Sequence, residues 1–300
     1  MAHSLVPPPL AEIRRLIGGE DWDDTDFSPT KAYICSAFSE LAYWYIPAFE
    51  LAGHDRVKIV PSSAYEELQS RLQVDDLVAQ IARSAELSVF TISSRLAVAL
   101  VASTSQVIFV AIRGTADLYD KVIDAKICKR LGDSGTKFHR GFLAATNQIR
   151  RNVISQLVGY GTNIPVYVTG HSLGGAMAAI LHATWNHRLP ANLDSARQIV
   201  RVAYTFAMPR YTNRKGMYEQ PYHVMNVKDL IPTLPSRHWG YADVQDEYIL
   251  ETLKPVAGAH RDSSRFGVSL LKLFVPSVKN RHKIESYRKA LDRARRLTLV

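Results

Sequence analysis

Val166-Tyr167-Val168-Thr169-Gly170-His171-Ser172-Leu173-Gly174-Gly175-Ala176-Met177-Ala178-Ala179-Ile180 is the stretch from which the fold is read. A short apolar strand, Pro165–Thr169, enters it, and a helix rich in Ala and Gly, Leu173–His187, leaves it. Between them Gly170-His171-Ser172-Leu173-Gly174 fits G-x-S-x-G. A serine on a sharp turn from strand to helix must adopt strained backbone angles. Glycines on either side allow strand and helix to approach closely. The helix that follows points its free N–H groups at the serine. This setting is what an exposed serine nucleophile requires. The Leu173 N–H is then placed to donate to an oxyanion.

Outward from this turn, Ser88–Ser94, Arg95–Ala102 and Val107–Ile112 read as successive strands, Gly141–Leu157 as an amphipathic helix, and Val200–Phe206 and Tyr222–Val227 as further strands. A short strand is expected at Glu247–Glu251, and a helix from about Lys279 to Arg296. Residues 30–52 and 63–84 have helical length and apolar spacing, whereas the triple proline and the acidic run at 20–26 mark an irregular N-terminal arm. Segment 116–136 mixes charges and apolar residues without a period. Strands alternating with helices imply a mostly parallel sheet covered on both faces. With no repeats and no long polar linker, residues 1–300 are expected to form a single domain, with 1–85 as its N-terminal helical part.

Composition narrows the classes. The 300 residues are 47% hydrophobic and 22% charged, which excludes wholesale disorder, collagen-like repeats and a multi-span membrane protein. Two cysteines, Cys35 and Cys128, exclude a disulfide scaffold and are expected to be reduced and buried. The longest uncharged stretch, Leu96–Ile112, is interrupted by Ser103-Thr104-Ser105-Gln106 and reads as a hairpin. The net charge of +9 is uneven: residues 1–30 sum to −4, and residues 279–300 to +6. A nucleic-acid binder carries a broader basic stripe interleaved with aromatics, so no nucleic-acid partner is expected. A basic end reads as a solvated helix, or as a feature that favours an anionic membrane surface. The start lacks a basic n-region and an apolar h-region, which predicts a cytoplasmic chain.

The motifs together resemble the class 3 lipases, the fungal-lipase-like branch of the α/β-hydrolases. Val110-Ala111-Ile112-Arg113-Gly114-Thr115 is similar to the strand and turn that carry the family's second oxyanion donor. Phe138-His139-Arg140-Gly141-Phe142 resembles its H-x-G-F box. Tyr204-Thr205-Phe206-Ala207-Met208-Pro209-Arg210 resembles its strand ending in Pro-Arg, and Asn226-Val227-Lys228-Asp229-Leu230-Ile231-Pro232 its acid-bearing strand end. The resemblance runs from about Val107 to His282 and implies an α/β-hydrolase fold, with a mostly parallel sheet and a lid.

A serine nucleophile needs a base, and the base needs a group that orients it. On this fold the chain order is Ser, acid, His. Asp229 immediately follows a strand, where catalytic groups of open parallel sheets gather, and the resemblance points to the same residue. Asp243 and Asp246 read as loop or capping residues. His282 lies just before the last helix, as the family's base does, with His260 as its rival. His223 sits on a strand and fits the order poorly. His139 reads as a packed structural histidine, and His171 as a neighbour of the nucleophile that need not take part. The expected set is therefore Ser172, Asp229 and His282, with Thr115 and Leu173 forming the oxyanion hole.

The resemblance puts a lid at 116–136, with Leu118, Tyr119, Val122 and Ile123 as its apolar residues. It also implies a lipid ester substrate, glyceride or phospholipid, and contact with a lipid interface. The chemistry needs no metal and no cofactor: HExxH, paired CxxC and Walker patterns are absent from the sequence. A module of the same fold that binds a lipid or protein without catalysis is the competing class, because fold alone does not establish activity.

Overall fold

The computed structural model describes residues 8–44, 87–94, 96–114, 129–131, 136–158, 164–185, 200–213, 221–245, 247–256 and 281–297. The expected helix at 63–84 lies outside these residues. So do Cys128, Thr115, the lid side chains Leu118, Tyr119, Val122 and Ile123, and His260.

The strands are β1 (Ser88–Ser93), β2 (Val98–Ser103), β3 (Ile108–Ile112), β4 (Lys129–Leu131), β5 (Lys137–His139), β6 (Val166–His171), β7 (Val200–Phe206), β8 (Tyr222–Met225), β9 (Glu247–Ile249) and β10 (Pro255–Val256). The helices are α1 (Leu10–Ile17), α2 (Pro29–Leu41), α3 (Arg140–Val158), α4 (Leu173–Trp185) and α5 (Ile284–Leu297). Eight strands form one sheet in the order β1-β2-β3-β6-β7-β8-β9-β10. The centre, β3-β6-β7-β8-β9, is parallel. The β1-β2-β3 side is antiparallel, with β2 and β3 forming the hairpin read from the uncharged stretch. Strands β4 and β5 form a separate antiparallel pair.

Both faces of the sheet are apolar, as parallel strands require when helices cover them. Val101, Val110, Ile112, Val166 and Val168 join Phe142, Ile149, Val153, Met177 and Ile180 of α3 and α4 in one core. Alternate residues on the other face, Leu100, Phe109, Tyr167 and Tyr204, pack with Ile13, Phe38, Tyr287 and Leu291 of α1, α2 and α5. Helix α2 starts at a Ser28 cap, whose side chain accepts from the Lys31 N–H, with Pro29 in the first turn.

The N-terminal arm is not irregular throughout. Residues 10–17 are helical, and Leu10, Ile13 and Ile17 are buried. Eight residues are too few to hold a helix by propensity, so the stability of α1 comes from that packing. The arm beyond it is tied to the sheet: Trp22 donates from Nε1 to the Ile17 carbonyl at 2.9 Å and meets Phe109 and Tyr167 edge-on. Strand β8 ends two residues earlier than expected, because the Asn226 N–H turns to the Tyr287 hydroxyl at 2.9 Å instead of continuing the ladder. The last helix begins at Ile284, not Lys279. Within the unpatterned 116–136 segment, residues 129–131 form strand β4.

Candidate active site

At the carboxyl end of β6, Ser172 has φ +59°, the left-handed region that non-glycine residues rarely enter. Its N–H donates to the Phe206 carbonyl of neighbouring β7 at 2.8 Å, which pins the turn to the sheet. A Cβ on Gly170 would strike the Gly174 backbone, and one on Gly174 would strike the Ile112 carbonyl of β3. The two glycines of G-x-S-x-G are therefore the crossing point of β6, α4 and β3. That crossing leaves Leu173 as the first residue of α4, where a helix N–H has no acceptor within its own helix.

The structure brings Ser172, His282 and Asp229 together from three parts of the chain. Ser172 Oγ lies 2.8 Å from His282 Nε2, and His282 Nδ1 lies 2.8 Å from Asp229 Oδ2. An ionised carboxylate only accepts, so Nδ1 carries the proton and Nε2 is left to accept from the serine hydroxyl. Asp229 is buried, and its second oxygen accepts from the Ile231 N–H at 3.0 Å. Tyr287 Oη also donates to Asp229 Oδ2 at 2.9 Å. The oxygen facing the histidine thus has two donors, and the carboxylate cannot rotate away from it.

The acid sits at the start of a tight loop that is clamped from below. Arg210, of the Pro-Arg pair, is buried and donates to Asp243 Oδ1 at 2.6 Å, to the Pro235 carbonyl at 2.8 Å and to the Thr233 carbonyl. Arg237 pairs with the other Asp243 oxygen. Asp243 lies in a loop, as expected, and its side chain is the buried ion-pair partner of Arg210 and Arg237. The arrangement fixes the segment that follows Asp229.

The remaining histidines separate by contact. His223 accepts from the Met208 N–H through Nε2 at 3.0 Å and faces Glu247 through Nδ1 at 3.3 Å, in the core between strands. His139 stacks on Phe142 at 3.9 Å, and burial pushes its pKa down to about 4. His171 is buried against His282, with its Nε2 on the His282 carbonyl and its Nδ1 on the Tyr43 hydroxyl. Burial first, and then the charge His282 can carry, lower its pKa well below the ordinary imidazole value. Tyr43 and Tyr287 were not singled out by the sequence reading. Tyr287 lies five residues beyond His282, so its sequence position carried a signal. Tyr43 meets His171 across 128 residues, and nothing local marks it.

The C-terminal charge is also resolved by contact. Arg288 is bonded to Glu40, Lys289 to Glu285, and Arg295 and Arg296 to Glu12 and Asp292. Arg288 and Arg295 are buried. The last helix is thus not simply a solvated basic face, since two of its arginines dock it onto α1 and α2.

Residues 109–239 match the family model described as lipase (class 3). The chain is 28% identical over 163 residues to a lipase of Rhizomucor miehei, covering 51% of this chain and 44% of that protein. It is 28% identical over 156 residues to the secreted mono- and diacylglycerol lipase 1 of Fusarium solani, covering 48% and 44%. It therefore spans less than half the length of the curated relatives it matches. The structure of lipase II from Rhizopus niveus superposes with a TM-score of 0.52 at 17% identity, over 92% of this chain and 95% of that one, which shows a shared α/β-hydrolase fold. The similarity to a secreted fungal lipase overturns the expected cytoplasmic location, which rested only on a missing leader pattern. The motif order, the fold and the match over residues 109–239 agree: this part of the chain is similar to the class 3 lipases, and the chain shares their α/β-hydrolase fold.

Proposed function

We propose that this chain hydrolyses carboxylic esters of lipids through an acyl-enzyme on Ser172. The observation that carries the reading is the hydrogen-bonded chain from Ser172 Oγ through His282 to Asp229, with both links at 2.8 Å. As the Ser172 hydroxyl attacks the ester carbonyl, its proton passes to His282 Nε2, and Asp229 stabilises the imidazolium. The alcohol leaves with that proton. Water, deprotonated by His282, then attacks the acyl-enzyme and frees the acid and Ser172. The oxyanion is assigned to the N–H groups of Leu173 and Thr115. Each donor of this kind is worth roughly 3 kcal/mol in the transition state. Every step uses groups of the chain itself and water.

The names of the relatives, a lipase and a mono- and diacylglycerol lipase, support a glyceride substrate with an apolar acyl chain; phospholipid and contact with a lipid interface are part of the proposal. The test is hydrolysis of p-nitrophenyl esters from short to long acyl chains, with Ser172→Ala beside the wild type. The expected result is turnover that falls by about a thousandfold or more in Ser172→Ala. The optimum acyl length then separates an esterase from a lipase. Absence of turnover on every ester, with detergent or vesicles present, would instead favour the binding module of the same fold.

A further inference from the structure

His282 lies in a turn before α5, outside any regular element. Its ring is held by Ser172 and Asp229, but ring bonds alone do not fix a backbone that has no helix or sheet ladder at that point. A separate contact supplies this anchor. His171 Nε2 lies 2.6 Å from the backbone carbonyl of His282. A carbonyl only accepts, so Nε2 carries the proton of the neutral His171 ring. Nδ1 must then accept, and the Tyr43 hydroxyl, 2.9 Å away, donates to it. The same hydroxyl lies against Gly114, in the turn before Thr115, where an added Cβ would strike both it and the His171 carbonyl. One tyrosine oxygen therefore touches the oxyanion turn and the residue beside the nucleophile, and that residue holds the base.

We propose that His171, set in its Nε2–H tautomer by the His282 carbonyl and braced at Nδ1 by Tyr43, is a positioning residue that fixes the backbone of the general base and ties it to the oxyanion turn. The inference rests on the reading of Ser172, His282 and Asp229 as a hydrolytic centre. The His171 ring touches the backbone of the base and not the reacting atoms, so its effect falls on kcat and not on substrate affinity. Loss of the anchor lets the turn carry His282 Nε2 away from Ser172, and small misplacements of a reacting group cost large factors in rate. Burial keeps the ring neutral. A second proton on Nδ1 would oppose the tyrosine donor.

Two measurements test this. In the wild-type chain with ring-15N-labelled histidine, His171 is expected as the neutral Nε2–H tautomer throughout the active pH range. An Nδ1–H tautomer, or titration in that range, overturns the proposal. In kinetics, His171→Leu fills the space but removes both bonds, and it is expected to lower kcat by about tenfold or more with KM within about twofold. His171→Gln keeps an amide donor and a carbonyl acceptor and is expected to restore most of that loss. A folded His171→Leu variant with wild-type kcat, or a His171→Gln variant no better than His171→Leu, overturns it. If His171→Leu does not fold, Tyr43→Phe removes only the hydroxyl that braces the ring and is expected to lower kcat at nearly unchanged KM. A wild-type kcat in that variant contradicts the brace. A wild-type chain without ester turnover and without a phosphonate adduct on Ser172 defeats the hydrolytic reading instead, and the tautomer measurement still decides the geometry.

Discussion

Tyr287 Oη stands 2.9 Å from Asp229 Oδ2 and accepts from the Asn226 N–H at 2.9 Å, so one hydroxyl joins the acid to the end of β8. Tyr287→Phe removes a donor to a buried carboxylate, a bond of the class worth about 1.5–3 kcal/mol. The expected outcome is a lower thermal midpoint together with a kcat reduced by about tenfold at nearly unchanged KM, read from melting curves and ester kinetics. A variant with wild-type kcat would show that Ile231 and His282 hold Asp229 without help. At this scale the sequence was informative where the chemistry is local. Ser172 announces itself because strand, glycines and helix are contiguous, and Asp229 because it follows a strand end. Tyr43 is silent because its meaning depends on a partner 128 residues away.

Helix α5 carries Tyr287 and follows His282, so its docking on α2 bears on the site as much as on stability. Arg288 Nε donates to Glu40 Oε2 at 2.5 Å, with both side chains buried. Burial dominates the Glu40 environment and pushes its pKa up, while Arg288 pulls it back down. Arg288→Met strands the carboxylate and is expected to cost about 3–5 kcal/mol, whereas the double variant Arg288→Met, Glu40→Leu is expected to recover most of that loss. Urea unfolding of the three proteins checks this, and equal losses in the single and double variants would contradict it. Because α5 positions Tyr287, the single variant is also expected to lose ester turnover. The element pattern explains what was legible. Strands β2 and β3 are nearly contiguous apolar runs, β6 and β7 are apolar through most of their length, and α4 is a small-residue helix directly after the glycine turn. Helix α1 was missed although Leu10, Ile13, Leu16 and Ile17 recur at helical spacing, because it is only eight residues long and lies between a triple proline and an acidic run. Strands β4 and β5 were missed because each has three residues, with Lys129, Arg130 and Lys137 among them.

At the scale of the whole molecule, burial lowers the pKa of His139 and of His171, and this couples folding to pH. The unfolded chain protonates His139 near its ordinary value of 6.5, whereas the folded chain resists until about pH 4. The unfolded state therefore binds more protons between these values, and stability falls as pH falls through that window. His139 alone contributes up to about 3 kcal/mol to this loss, and His171 acts in the same direction. Thermal midpoints are expected to be flat above about pH 7 and to drop steadily toward pH 4. A midpoint that rises on acidification would contradict the burial of these rings. The overall architecture was legible because strand–helix alternation sets a covered parallel sheet. The role of the basic end was not, because the partners Glu12 and Glu40 of Arg295 and Arg288 lie at the other end of the chain. All of this scaffolding serves one claim, that Ser172 is an activated nucleophile. The most direct test is incubation of the full chain with an alkyl phosphonate ester, followed by peptide mass mapping. The account predicts one adduct, on the peptide that carries Ser172, absent from Ser172→Ala and formed far more slowly in His282→Ala. No adduct on the wild type in the presence of lipid vesicles, or an adduct at a different residue, would contradict it.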